Sequence, residues 1–418
     1  MNRIKQLLQS FGPAVIVAAI VLGPGTILTS SKVGAQYGYV GVAAIVLAVV
    51  LMIAMVALAA RIGVVYQGSP CDELTKRLGR PAAFAVGLIL FGVVAIFQFS
   101  NNVAIISGLA PLFQSEKFSL TSGHTPTVIL VVFNALVIFC LYWKRHLYQS
   151  IESLMKLLIG VMVVAFLINF VVVFVSPRGY VPVKPRGTPE ILVLLGLMGT
   201  TFSVGGAFYQ AYLVKEKGWG IADAERGVRD SVVSISVVGI LSTIILMTAT
   251  RVFYGRPDPV VLSGVGEVAM QLQPLFGTWA KVVFCLGIFA GAFSSFLVNA
   301  LVGGTVLSDS MGKGSRLGEG WTLSMTTVAL LTGMLIAIFH LQDSKSTVNL
   351  IIFAQALTVL GLPALALALL YLGMQSDLNG ERKVPSWMIR LGMVGFVVAL
   401  ILSLRTTLAI FEKLANQG

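Results

Sequence analysis

Charge is scarce in this chain. Asp, Glu, Lys and Arg make up 11% of its 418 residues, against about 25% in an average soluble domain. Hydrophobic residues reach 57% and mean hydropathy is +0.92, so the sequence reads as an all-α polytopic membrane protein. Long polar stretches are absent too, which excludes an ATP-hydrolysing engine within the chain. The three cysteines, Cys71, Cys140 and Cys285, have neither metal-ligand spacing nor a paired framework. Acids are confined to loops and span ends: Asp72, Glu73, Glu116, Glu190, Glu216, Asp223, Glu225, Asp258 and Asp343 are examples, with Glu152 and Asp230 at span starts. No carboxylate is therefore expected at mid-membrane depth, where ionisable groups mark ion paths and proton relays. No nucleophile–base pair, metal motif or phosphate loop is present, so no enzymatic activity and no cofactor are expected. The opening "MNRIKQ" lacks a small-residue cleavage site and is not read as a removable signal peptide.

What the chain does have is a series of apolar runs, each long enough to cross about 30 Å of hydrocarbon. They predict about eleven spans, at 12–37, 40–66, 83–113, 126–143, 151–175, 189–213, 230–253, 278–307, 321–340, 347–373 and 387–410. The formal charge of +12 comes from short loops between spans. It reads as topology signal and lipid contact rather than a nucleic-acid surface. With the N-terminus inside, 18 Lys and Arg fall on the inner side and 10 on the outer, Lys32 lying within the first span. The excess belongs on the cytoplasmic side, so a multi-pass protein of the plasma membrane with a cytoplasmic N-terminus is expected.

Two spans contain helix breakers. The first carries Gly23-Pro24-Gly25, and the sixth carries Gly199 and the pair Gly205-Gly206 amid hydroxyl residues. Pro removes a backbone donor and crowds the preceding turn, and Gly favours leaving the helix. In hydrocarbon such a break survives only where it faces protein or a wet cavity. Two interrupted spans, five apart, are the signature of a transporter built from inverted repeats. A single transmembrane domain follows: repeat one at 12–175, repeat two at 189–373, and an additional helix at 387–410.

These motifs carry a resemblance to a known family. "GAQYGY" (Gly34–Tyr39), "ESLMKLLIGVMVVAFLINF", "GAFSSFLVNALVGGTVLSD" and "FAQALTVLGLP" (Phe353–Pro363) resemble segments of the NRAMP family of proton-coupled divalent-metal transporters, over nearly the whole chain. The resemblance implies the LeuT fold, with an inverted five-plus-five repeat and broken helices one and six. It also exposes departures. The family's Asp-Pro-Gly-Asn is Gly23-Pro24-Gly25-Thr26 here, and its Met-Pro-His-Asn is Ser203-Val204-Gly205-Gly206. A later His falls at Gln210, and the acidic positions of the family's proton route fall at Phe99 and Asn102. Of the family's metal-site side chains, the Gln at Gln355 is kept.

A dehydrated divalent cation needs anionic or strongly dipolar ligands, and softer metals favour sulfur and imidazole. Gly23, Thr26 and Ser203 offer hydroxyls and carbonyls at most, so no metal site is expected. The N-terminal end of a half-helix attracts anions, and Lys32 lies two turns beyond the first break. The leading expectation is thus a secondary transporter, working by alternating access, for a small anion or organic acid. Its candidate substrate-binding residues are Gly23, Thr26, Ser30, Lys32, Asn102, Ser203, Gly205, Gly206, Tyr209, Gln210 and Gln355. The alternative is NRAMP-type transport of a divalent metal ion such as Mg²⁺ or Mn²⁺, carried with much of its hydration shell and held by carbonyls, Thr26, Ser203 and Gln355. A non-transporting sensor or a channel on the same scaffold is the other class. His124, His146 and His340 sit near span ends and read as interfacial.

Overall fold

The computed structural model describes residues 17–18, 21–113, 123–143, 145–183, 188–316, 318–341 and 346–415. Most of the first half of predicted span one lies outside these residues, as do Glu116, Lys117, Lys184, Arg186, Asp343 and Lys345. The described residues form helices and no strands. The longer ones are α1 (Pro24–Tyr37), α2 (Gly41–Val65), α3 (Pro70–Leu78), α4 (Arg80–Phe113), α5 (Thr125–Trp143), α6 (Arg145–Val175), α7 (Ile191–Thr201), α8 (Val204–Glu216), α9 (Ala224–Phe253), α10 (Ala280–Ser310), α11 (Gly320–Leu341), α12 (Thr347–Thr358), α13 (Leu362–Gly373) and α14 (Ser386–Ala415). Short helical turns fill Val265–Trp279 between α9 and α10.

Among the described residues, eight stretches are long and apolar enough to cross a membrane, where about eleven were expected. The tight turn Gly38–Val40 runs α1 into α2, so Pro24–Val65 forms one continuous apolar stretch. Predicted spans four and five correspond to α5 and α6, helices of 19 and 31 residues.

Both helix breaks are present, and the second overlaps the expected Ser203–Gly206 segment at Ser203. Gly23 caps α1 in extended backbone (φ −101°, ψ −178°), and Pro24 takes the first helical position, where its missing N–H costs nothing. Gly25 and Thr26, expected in the unwound segment, already belong to α1. In span six the chain leaves the helix at Phe202 and Ser203, with ψ of 61° and 81°. Gly205 and Gly206 lie in the first turn of α8. Neither Phe nor Ser is a strong breaker, so packing sets this break. The fully buried Phe202 ring lies over Gly395 of α14, its Cζ 3.2 Å from where a Cβ would stand.

Bundle packing relies on close helix approach. On α10, a Cβ at Gly303 would stand 2.8 Å from Val94 of α4, and one at Gly304 would meet the Thr326 backbone of α11. Small residues admit such contacts between membrane helices, where packing replaces a hydrophobic driving force. In α14, by contrast, Val397, Leu400, Ile401, Leu404, Leu408 and Phe411 are exposed, as suits a face turned to lipid.

Candidate functional site

Three helices meet Gln355 of α12, two of them beside the breaks. A Cβ on Gly25, at the start of α1, would stand 2.5 Å from Gln355 Nε2. A Cβ on Gly199, near the end of α7, would stand 2.4 Å from the Gln355 carbonyl oxygen and 2.9 Å from Thr358 Oγ1. Gln355 of α12 thus bridges the two interrupted helices, its side chain against one and its backbone against the other. From α4, Ser100 Oγ accepts a 2.7 Å hydrogen bond from Gln355 Nε2. From α10, Gly291 faces the Pro24 ring. Both glycines are needed for close approach rather than for unusual backbone angles. Gly199→Val should cost about 1–3 kcal/mol through overpacking, measured as a lowered unfolding temperature in detergent.

The polar groups here are neutral and partly unsatisfied. The Thr26 hydroxyl donates across the break to the Val21 carbonyl, and Thr29 Oγ1 donates to the Thr26 carbonyl at 3.2 Å. With its amide nitrogen on Ser100, Gln355 has a buried Oε1 with no partner among the described residues. The Ser30 and Thr201 hydroxyls are likewise buried without a described partner. Ser203, the residue capping α8, is 2% exposed and makes no side-chain capping bond. A buried acceptor left unpaired costs about 1–3 kcal/mol, so this arrangement awaits a donor or a cation. The last carbonyls of α7 have no continuing helix to bond, and that terminus carries partial negative charge.

Other candidate residues lie elsewhere. Lys32 is two turns along α1, bonded to Asn349 of α12 and 3.9 Å from Glu190. It lines a cavity of 680 Å³ with Gln36, Glu190, Arg256 and Asn349. Glu190 also takes a 3.3 Å bond from Gln36 Nε2, which ties α1 to the start of α7. Asn102 joins helices: its amide nitrogen donates to the Gln98 carbonyl at 2.8 Å, and its oxygen accepts from Asn134 of α5 at 2.8 Å. Phe99 packs on the His340 ring at 5.5 Å. Along α8, Gly205 has room for a methyl beside Leu365 and Val93. Gly206 is buried in the same turn. Tyr209 stacks on Tyr212 with centroids 5.9 Å apart, and Gln210 is fully buried with neither amide atom partnered among the described residues. Sequence reasoning missed Ser100, Asn134 and Gln271. Gln271 joins Ser31 to a region that reads as an ordinary loop, its Nε2 donating at 2.9 Å to Ser31 Oγ.

At the α3 end, hydrogen bonds and an ion pair join the helices. Ser69 and Asp72 form a reciprocal cap on α3. Arg77 binds Asp377 at 2.7 Å and holds its carboxyl below the usual range. Tyr66 donates to the Leu372 carbonyl at 2.8 Å.

A model of the family described as natural resistance-associated macrophage protein-like, Nramp, matches residues 14–409. The chain belongs to the Nramp family. Its Nramp relatives include proteins named divalent metal cation transporter MntH. The one from Mycobacterium tuberculosis is 24% identical over 416 residues, covering 96% of this chain and 90% of the relative. The one from Brucella suis is 22% identical over 422 residues, covering 97% and 89%. Among solved Nramp structures, the Eremococcus coleocola manganese transporter superposes with a TM-score of 0.73 at 20% identity, over 97% of this chain and 87% of that one. The protein is thus a multi-span membrane transporter of the Nramp family rather than an enzyme.

Proposed function

We propose that this Nramp protein carries a hard divalent cation, Mg²⁺ being the best fit, by alternating access around the two breaks. The carrying observation is the buried Gln355 Oε1, unpartnered among the described residues, on a residue whose side chain packs on Gly25 and whose backbone packs on Gly199. Neutral amide, hydroxyl and carbonyl oxygens suit a hard ion that keeps part of its water shell. They suit a soft metal poorly, since Ser203 stands where the family has a thioether. The anion expected from the sequence rested on missing acids and on half-helix N-termini. The names of the relatives and the free amide oxygen support the metal alternative instead.

The proposed architecture is the eleven-span inverted repeat in the plasma membrane, with the α3 end cytoplasmic. Lys76, Arg77 and Arg80 at that end support the orientation. The Lys32 cavity then opens outward as the entrance. Its ammonium repels an incoming cation across a partly hydrated space, so Lys32→Gln should raise divalent uptake a few-fold. Uptake of Mg²⁺, Mn²⁺ and labelled small anions into proteoliposomes tests both statements. Mg²⁺ accumulation, increased in Lys32→Gln, is expected. Anion uptake without cation uptake, decreased in Lys32→Gln, overturns the cation reading.

A further inference from the structure

Asp309 is a buried carboxylate that the site at the breaks does not use. It lies at the end of α10, 6% exposed, where α10 meets α3 and α8. Tyr212 of α8 donates to its Oδ2 at 2.7 Å. Cys71 and Ser69, from the start of α3, also lie near this carboxyl group. Cys71 is fully buried, its sulfur directed to the Val306 carbonyl one turn before Asp309 at 4.0 Å. These three neighbours are neutral, and the charged group felt beside them, Asp72, is another carboxylate. Among the described residues no Lys or Arg forms an ion pair with Asp309. A carboxylate taken out of water without a cationic partner is costly, and hydroxyl donors compensate it only in part. The position calls for a mobile cation.

We propose that Asp309 is a binding station for the departing divalent cation on the cytoplasmic side, closed in this structure by Tyr212. The identity of the occupant rests on the cation reading above. The geometry of the station does not depend on it. Tyr212 belongs to α8, the half-helix that starts at the second break, so movement of that half-helix would withdraw the phenol from the carboxylate. The freed carboxylate then meets the ion leaving the breaks. Asp309 supplies a hard anionic oxygen, the ligand type that the breaks lack. Cys71 adds a sulfur that a thiophilic probe ion engages beside the same carboxylate.

Cys71 makes the station measurable. Burial holds its thiol well above the usual range, so alkylation by a maleimide reports opening of this end. The rate is followed by mass spectrometry of the peptide in purified full-length protein. Micromolar Cd²⁺ should slow Cys71 alkylation at least tenfold, and millimolar Mg²⁺ should restore at least half of the rate by competing for the carboxylate. Asp309→Asn, which keeps an acceptor for Tyr212, should remove the Cd²⁺ protection. Tyr212→Phe should keep it, because the carboxylate stays and loses only its latch. A parallel melting series, in which Mg²⁺ raises the wild-type melting temperature more than that of Asp309→Asn, reads the same site without chemistry at Cys71. Cd²⁺ protection that survives Asp309→Asn, or that Mg²⁺ does not relieve, assigns the effect to the thiol alone and overturns the proposal. Protection by lowering the pH, with none by Cd²⁺, gives the carboxylate to a proton and overturns it equally. None of these readings requires transport, so a failure here is distinct from a failure of the cation reading in liposomes.

Discussion

Gly23→Asp should give the protein Mn²⁺ binding at least a hundredfold tighter than the unmodified chain shows. Gly23 is extended, a conformation open to any residue, so aspartate is accommodated without backbone strain. It would stand at the first break, one residue before the Pro24 that starts α1 and two before the Gly25 that packs on Gln355. A unit charge about 4 Å from another gains about 4 kcal/mol at an effective dielectric of 20, and a divalent ion doubles that. Desolvation of the carboxylate and its competing role as a helix cap take back part of the gain. A hundredfold, about 2.7 kcal/mol, is the portion expected to remain. Calorimetric titration with Mn²⁺ checks it. Unchanged binding would mean that the first break does not hold the ion.

Gln355→Glu is the second large effect, and its sign separates the two cargo classes. The substitution keeps the length of the side chain and the position against Gly25. It replaces the Nε2–Ser100 bond with one that Ser100 donates to a carboxylate. A cation at this place should bind at least tenfold tighter and leave more slowly, so affinity rises while turnover falls. An anion should be expelled. Paired measurements of binding and initial uptake rate in the variant give both signs. Weaker Mg²⁺ binding with faster anion uptake would exclude Gln355 as a cation ligand.

How much of this was legible in the sequence differs from residue to residue. The first break was readable because its cause is local: Pro24 cannot continue a preceding helix, and Gly23 needs no partner to leave one. The second break was expected over Ser203–Gly206 and is found at Phe202 and Ser203, the glycine pair being helical. Its cause lies about 190 residues away, in the Gly395 surface that receives Phe202. Gln355 was legible through the family motif, but its place between both breaks was not, since that depends on Gly25 and Gly199 admitting it. Asn102 looked like a polar residue turned to the cavity. Its partner Asn134 sits on another span, and nothing local predicts the pairing. Lys32 read as part of the break site because two helical turns separate them. Those two turns place it instead in a separate cavity beside Glu190. Asp309 sits at the end of an apolar run, where a carboxylate reads as interfacial. Only the approach of α3 and α8 buries it.

The cargo itself separates the two surviving accounts most sharply. Purified protein titrated calorimetrically with Mg²⁺, and separately with a panel of small carboxylates and inorganic anions, measures that directly. The account predicts saturable Mg²⁺ binding that Gln355→Leu abolishes, with no heat from the anions. Saturable binding of an anion with none of Mg²⁺, unaffected by Gln355→Leu, would contradict it.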